Sequence, residues 1–341
     1  MRAVAALRAL PSSDPGALVD LELPTPVPGE HDLLVRVQAV SVNPIDTKVR
    51  ASLPTEGEGT PRVLGWDAAG VVEAVGASVR RFRPGEAVMF AGAIDRPGSN
   101  AEFTLVDERI VGRKPRTLSF AEAAALPLTG LAAWESLFEG LGFDPHGGDA
   151  GRSVLLIGAA GGVGSIAIQL AKQAGLTVIA TASRAESRDW VRLLGADAVL
   201  DHRSPLGPQL NALGLPLVDA IANFHDTAAY WQTMAELIRP LGSIVALVSC
   251  GEPVDLDLLK NKSVRFAWEF MFTRSLHGTA DMAEQGSILA AIATLVETGR
   301  LRSTLTTLAG PIDAVTLRRA HAQIETGRTI GKVVLAIPEE G

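Results

Sequence analysis

The sequence predicts an α/β chain, a barrel-like unit of short β-strands followed by a doubly wound parallel sheet with helices on both faces. Three observations predict it. Residues 1 to about 118 carry short Val- and Leu-rich runs separated by Gly and Pro, with no long helical period. From Val154 onward, apolar runs of strand length alternate with segments of helical period. Where the second pattern begins, Ser153-Val154-Leu155-Leu156-Ile157-Gly158-Ala159-Ala160-Gly161-Gly162-Val163-Gly164-Ser165 joins an apolar run to a glycine-dense turn, and the turn opens into a helix.

Composition excludes several classes. The 341 residues leave room for two domains, and 47% hydrophobic against 20% charged residues is the balance of an ordinary soluble globular chain. A net charge of −7 without a basic block argues against nucleic acid or an anionic membrane as partner, and no apolar run approaches transmembrane length. With Cys250 as the one cysteine, a disulfide within the chain and a multi-cysteine zinc cluster are both excluded. The apolar Met1 to Leu7 soon reaches Arg8 and Pro11-Ser12-Ser13-Asp14-Pro15, which reads as a first strand and turn rather than a secretion signal. A cytoplasmic location is expected.

In order, strands are expected at Leu33 to Val42, Ala69 to Val75, Ala87 to Phe90 and Ala101 to Val106, punctuated by Pro28-Gly29 and Pro84-Gly85. Ser119-Phe120-Ala121-Glu122 is a capping box that starts a helix running to Pro127, and Thr129 to Phe138 carries a second helical pattern. Strand Val154–Ile157 then leads an alternating series. Strands at Thr177–Ala180, Ala198–Leu200, Ala220–Ala222 and Ser243–Leu247 are separated in part by helices at Ala185 to Leu194 and Ala228 to Ile238. The bulky stretch Val264 to Phe272 reads as a strand that buries aromatics, at a sheet edge able to pair with another subunit. Helices at Ile288 to Thr298 and Ala314 to Thr326 and a strand at Lys332 to Ile337 close the chain.

Chemistry is concentrated at the glycine turn. Unpaired N–H groups and the positive end of the helix dipole favour an anion there, and glycines let it approach the backbone. Ala159-x-Gly161-x-x-Gly164 is the dinucleotide fingerprint with alanine for its first glycine. Such a turn can also be a packing corner, but the strand from Thr177 to Thr181 completes a βαβ unit and favours the nucleotide. Gly158, Ala160, Gly161, Gly162, Val163 and Gly164 would then line the pyrophosphate. At the end of the second strand an acid would hold the ribose of NAD; Ala182-Ser183-Arg184 offers a hydroxyl and a guanidinium instead. Both can bind a 2′-phosphate, with Arg188 one turn further on, so NADPH is expected. Alternatively Ser183 caps the next helix and Arg184 is solvated. Phe224 and Ser249 fall at the C-terminal ends of later strands, where ligands collect in such sheets. Cys250 has no identified base and reads as a small apolar filler.

The chain resembles the medium-chain dehydrogenase/reductase superfamily, in its quinone oxidoreductase branch, and more narrowly the bacterial zinc-type alcohol dehydrogenase-like proteins. The resemblance rests on Ser41-Val42-Asn43-Pro44-Ile45-Asp46-Thr47-Lys48, Leu64-Gly65-Trp66-Asp67-Ala68-Ala69-Gly70, Ala124-Ala125-Leu126-Pro127-Leu128-Thr129, Gly158 to Gly164, Leu194-Gly195-Ala196-Asp197 and Trp268 to Arg274. It implies a GroES-like catalytic domain over residues 1–126 and 273–341, a Rossmann NADP-binding domain over 127–272, and a cleft between them. It also implies a homodimer, a nicotinamide contact from Thr129, and Lys332 reaching the cofactor. In metal-dependent relatives the zinc ligands fall near Asn43, Trp66 and Leu128, none of which supplies thiolate or imidazole. No bound metal is expected. The activity implied is hydride transfer from NADPH to a quinone or an α,β-unsaturated carbonyl. A zinc alcohol dehydrogenase and a non-catalytic NADPH-binding sensor are the competing readings.

Three residues stand out for that reaction. Negative charge builds on the acceptor oxygen, and the Asn43 amide could donate to it, or Asn43-Pro44 could simply start a turn. Asp46 could hold Lys48 or orient water, or cap a helix. Trp66 could stack on a flat acceptor, or pack in the core.

Overall fold

The computed structural model describes residues 1–56 and 59–337, so part of the loop between Arg50 and Arg62 and the last four residues lie outside the described residues. The backbone clusters into two units, Met1–Leu128 with Phe272–Gly341, and Thr129–Met271. Among the described residues no helix is long and apolar enough to cross a membrane.

The first unit is built on the strand Asp32–Val42, buried along nearly its whole length because Leu33, Val35, Val37, Ala39 and Val40 leave little polar surface. It pairs antiparallel with Ala68–Val75, Phe103–Asp107 and Lys332–Ala336. Ala87–Phe90 and Val111–Arg113 extend the sheet on one side and Leu305–Gly310 on the other. A smaller sheet joins Arg2–Ala6 to Val19–Glu22 and Arg62–Val63. The strands Val19–Glu22, Arg62–Val63, Val111–Arg113 and Leu305–Gly310 are absent from the sequence reading. They are short, or, like Leu-Thr-Thr-Leu-Ala-Gly, too polar and Gly-containing to stand out.

Helix Pro44–Ala51 enters that reading only as an alternative role for Asp46. Eight residues are too few for a visible period, and Asn43-Pro44 looks like a turn. It starts straight from the central strand, with proline in its first turn and Asn43 as N-cap. Its far end is anchored by buried Arg50, which contacts His321 Nδ1 at 2.9 Å and pairs with Glu325 on helix Ala314–Glu325. Burial, and then the Arg50 charge, push His321 down to about 4, so the ring is neutral and packs.

The second unit holds a parallel sheet in the spatial order Ala198–Leu200, Thr177–Thr181, Ser153–Ile157, Val218–Asn223, Ile238–Ala246, Arg265–Trp268. Strands one to six thus lie in the order 3-2-1-4-5-6 of the doubly wound fold, and the order reverses between Ser153–Ile157 and Val218–Asn223. Helices Gly162–Gln173, Ala185–Leu193 and Thr227–Leu237 stand near their expected places, while Leu206–Ala212 is an addition. The expected helix from Thr129 to Phe138 runs as Pro127–Trp134 and then widens into a π-type turn, Glu135–Gly140. Pro127 therefore opens this helix as well as ending the pattern before it.

The aromatic stretch from Val264 to Phe272 needs correction. Only Arg265–Trp268 is strand, it lies at the sheet edge, and Trp268 and Phe270 remain 54% and 43% exposed. Phe266 tucks in, edge-on to Trp231 and Trp268 with ring centres 5.2 and 5.1 Å apart, and Phe272, beyond the strand, is buried.

Candidate active site

Two clusters of polar side chains stand out, one in each unit. In the first, Asn43, Asp46, Asp67 and Lys332 are each no more than 3% exposed. Lys332 opens the strand Lys332–Ala336, and pairing with Asp32–Val42 brings its ammonium beside the start of helix Pro44–Ala51. Nζ donates to Asn43 Oδ1 at 2.5 Å and to Val42 O at 3.2 Å, and lies 3.1 Å from Asp67 Oδ2. The Asn43 amide nitrogen donates to Ser41 O (3.3 Å) and Asp67 Oδ2 (3.2 Å), so both its hydrogens point into the cluster. The Leu128 N–H donates to Asp67 Oδ1 at 3.2 Å. Asp46 accepts from the Asn43 N–H at 2.7 Å, the reciprocal half of a capping box, and its Oδ1 is buried without a hydrogen bond. Of the roles considered for Asp46, the cap is the one the geometry displays.

Charge explains the cluster's chemistry. Two carboxylates and one ammonium sum to −1, and giving Asp46 a proton makes the group neutral. Burial pushes Asp46 up to about 7, against the Asn43 N–H and the Lys332 charge; burial raises Asp67 as well. The unfolded carboxyl titrates near ~4, so between about pH 4 and 7 the folded chain holds a proton the unfolded chain lacks. Stability therefore falls as pH rises through this window, by up to ~1.4 kcal/mol per pH unit, and levels off above it. Asp46→Asn is expected to reduce that slope in urea denaturation at pH 5, 6 and 7, leaving the part that Asp67 contributes; an unchanged slope would contradict a protonated Asp46.

Trp66 lies beside this cluster in the sequence and is itself buried. Its Nε1 donates to Ala93 O at 3.0 Å, and its ring meets Phe272 edge-on at 6.5 Å. The family resemblance brings with it a zinc ion near Asn43, Trp66 and Leu128, and the donors do not fit one. An amide, an indole and an isobutyl group stand there, and a lysine ammonium takes up the Asn43 and Asp67 oxygens. Among the described residues no group of three or more His, Cys, Asp or Glu is placed to hold an ion.

The second cluster surrounds the glycine turn. Gly158 has φ +76°, and a Cβ there would come within 3.4 Å of Phe224 and His225, so this residue needs glycine and meets the loop after Val218–Asn223. A Cβ on Gly164 would lie 2.5 Å from the Ala159 backbone, which makes it the close helix–strand contact of the fingerprint. Gly161 is the N-cap of helix Gly162–Gln173, so no side chain closes off the first-turn amides. With Ala160, Gly162 and Val163 these residues form a cradle that fits a pyrophosphate, at the point where the strand order reverses.

At the end of Thr177–Thr181, Ser183 and Arg184 are half-buried, and Arg184, not Ser183, is the N-cap of helix Ala185–Leu193. The Arg184 N–H donates to Ser187 Oγ at 3.2 Å. Next to them stands a residue the sequence reading passed over. Arg203 Nη2 donates to Ser183 O at 2.9 Å and to Asp201 Oδ2 at 2.8 Å, and Arg188 Nη2 reaches the same Asp201 oxygen at 2.8 Å. The signal was available, since Asp201-His202-Arg203 follows strand Ala198–Leu200, another strand end in the same sheet. Thr129 is buried in helix Pro127–Trp134, Ser249 is exposed on the turn after Ile238–Ala246, and Cys250 is half-buried. Lys332, expected at the cofactor, turns its ammonium to Val42, Asn43 and Asp67. A lysine heading an apolar strand, and Asp67 within the apolar run from Leu64 to Val72, were the sequence signs of a buried pair.

Comparison with known proteins places this architecture. Residues 29–128 match the alcohol dehydrogenase GroES-like domain and residues 194–335 the zinc-binding dehydrogenase domain. A zinc-type alcohol dehydrogenase-like protein of Staphylococcus aureus is 45% identical over 313 residues, 92% of each chain. The 2-methylene-furan-3-one reductase of Solanum lycopersicum is 32% identical over 90% of this chain and 72% of its own. The crystal structure of a candidate zinc-dependent alcohol dehydrogenase from Rhizobium etli superposes with a TM-score of 0.93 at 49% identity, covering 99% of this chain and 98% of that one. The chain belongs to the medium-chain dehydrogenase/reductase superfamily, among its zinc-type alcohol dehydrogenase-like proteins.

Proposed function

We propose that this oxidoreductase is an NADPH-dependent, zinc-independent reductase of quinones or α,β-unsaturated carbonyls. The observation that carries the reading is the buried Asn43–Asp67–Lys332 cluster, in which a lysine ammonium and an amide stand where a metal would need thiolate or imidazole. Bound NADPH supplies the hydride. A conjugated acceptor spreads the resulting charge over its own π system, so it depends less on a Lewis acid than a simple ketone does. The relation to a furanone reductase of tomato supports an acceptor of this kind.

The chain's own residues bind and orient. The amides around Gly161 to Gly164 and the positive end of helix Gly162–Gln173 hold the pyrophosphate. Ser183 and Arg184 favour a 2′-phosphate at a strand end that lacks the acid suited to NAD. Thr129, Phe224 and Ser249 complete the cofactor's surroundings. Lys332 neutralises Asp67 and fixes the Asn43 amide, and Asp46 fixes the start of helix Pro44–Ala51. Asn43, Asp46 and Trp66, all buried, thereby form a stiff, metal-free backing behind the place of a flat acceptor.

The test is nicotinamide absorbance across a panel of quinones, enones and simple alcohols, with and without a strong chelator. Oxidation of NADPH by a quinone or an enone, at least ten times faster than oxidation of NADH and indifferent to chelator, is expected. Turnover of alcohols that disappears on chelation and returns with zinc would assign a zinc alcohol dehydrogenase instead. Tight NADPH binding without turnover would leave a sensor.

A further inference from the structure

The arginine-rich corner after strand Ala198–Leu200 is the feature the function above leaves unused. Asp201 is held from behind, its N–H donating to Gln209 Oε1 at 2.8 Å and its carbonyl accepting from Gln209 Nε2 at 2.9 Å. Its carboxylate in turn holds Arg203 through Nε (3.1 Å), Nη2 (2.8 Å) and the backbone N–H (3.0 Å), and Arg188 through Nη2 (2.8 Å). Arg203 is tied across to the neighbouring strand end by its 2.9 Å bond to Ser183 O. A guanidinium from the third strand is thus fixed against the loop that ends the second.

Formal charge matches this corner to its ligand. Arg184, Arg188 and Arg203 contribute +3 and Asp201 −1, a sum of +2 in a chain whose net charge is −7. A phosphate monoester carries about −1.5 to −2 at neutral pH. We propose that Arg203 is a second guanidinium of the 2′-phosphate site, with Asp201 as the residue that positions it, so that discrimination between NADPH and NADH is shared by two strand ends. The inference rests on the NADPH reading above. Arg203 is 64% exposed on its side chain, so its truncation leaves the core intact.

Calorimetric titration with 2′,5′-ADP and with 5′-AMP, which lacks the 2′-phosphate, tests it on the full chain. The wild type is expected to bind 2′,5′-ADP at least tenfold more tightly. Arg203→Ala should weaken 2′,5′-ADP about tenfold and leave 5′-AMP within twofold. Asp201→Asn should weaken 2′,5′-ADP in the same direction by a smaller factor. Equal weakening of both ligands by Arg203→Ala, or of neither, would overturn the role of Arg203 while the NADPH reading stood. A wild type that does not distinguish the two ligands would overturn both.

Discussion

Replacing Lys332 by methionine should cost the first unit about 3–5 kcal/mol, the range observed when one member of a buried ion pair is removed. Methionine nearly matches the length of the lysine stem, so little volume is lost and the effect is electrostatic. Asp67 would be left fully buried beside Asp46, retaining only the Asn43 amide and the Leu128 N–H. The Asn43 carbonyl would lose its bond to Nζ as well. Native-state hydrogen exchange of strand Asp32–Val42 reads the loss in this unit alone. The double change Lys332→Met with Asp67→Asn should recover more than half of it, because neither charge is then stranded. A loss below about 1 kcal/mol in the single variant would show that the pair contributes little.

Arg184→Glu should reverse the preference between cofactors. Losing a charge-assisted hydrogen bond costs about 1.5–3 kcal/mol, and placing a carboxylate opposite the phosphate adds repulsion, so affinity for NADPH should fall about a hundredfold. Affinity for NADH should change less than threefold, since its ribose hydroxyl accepts an acid as partner. Folding should tolerate the change, because the position caps helix Ala185–Leu193 and an acid suits a helix N-terminus. Dissociation constants from fluorescence titration decide it, and a parallel loss of both cofactors would refute the assignment of this strand end.

The parts most legible in the sequence were those whose physics is local. A buried parallel strand must be a short apolar run, and a tight turn into a helix needs glycine, so Ser153–Ile157, Gly158 and Gly164 could be read directly. The Ser119–Glu122 capping box likewise needed only residues three apart. The buried cluster could not be read this way. Lys332 and Asn43 lie 289 positions apart and meet because Lys332–Ala336 pairs with Asp32–Val42, a register that no local pattern specifies. Arg203 was missed for a related reason, since its meaning depends on Ala198–Leu200 lying next to Thr177–Thr181. The exposed Trp268 and Phe270 misled in the opposite direction, because bulk alone does not tell which face of an edge strand is covered.

The measurement closest to the central claim is the fate of the nicotinamide hydrogen in metal-free protein. NADPH deuterated at the transferring position of C4, mixed with protein stripped of metal and with an enone, should place deuterium on the reduced product at a rate unchanged by added zinc. A product formed only after zinc is restored, or one without deuterium, would contradict a metal-free transfer of hydride from NADPH.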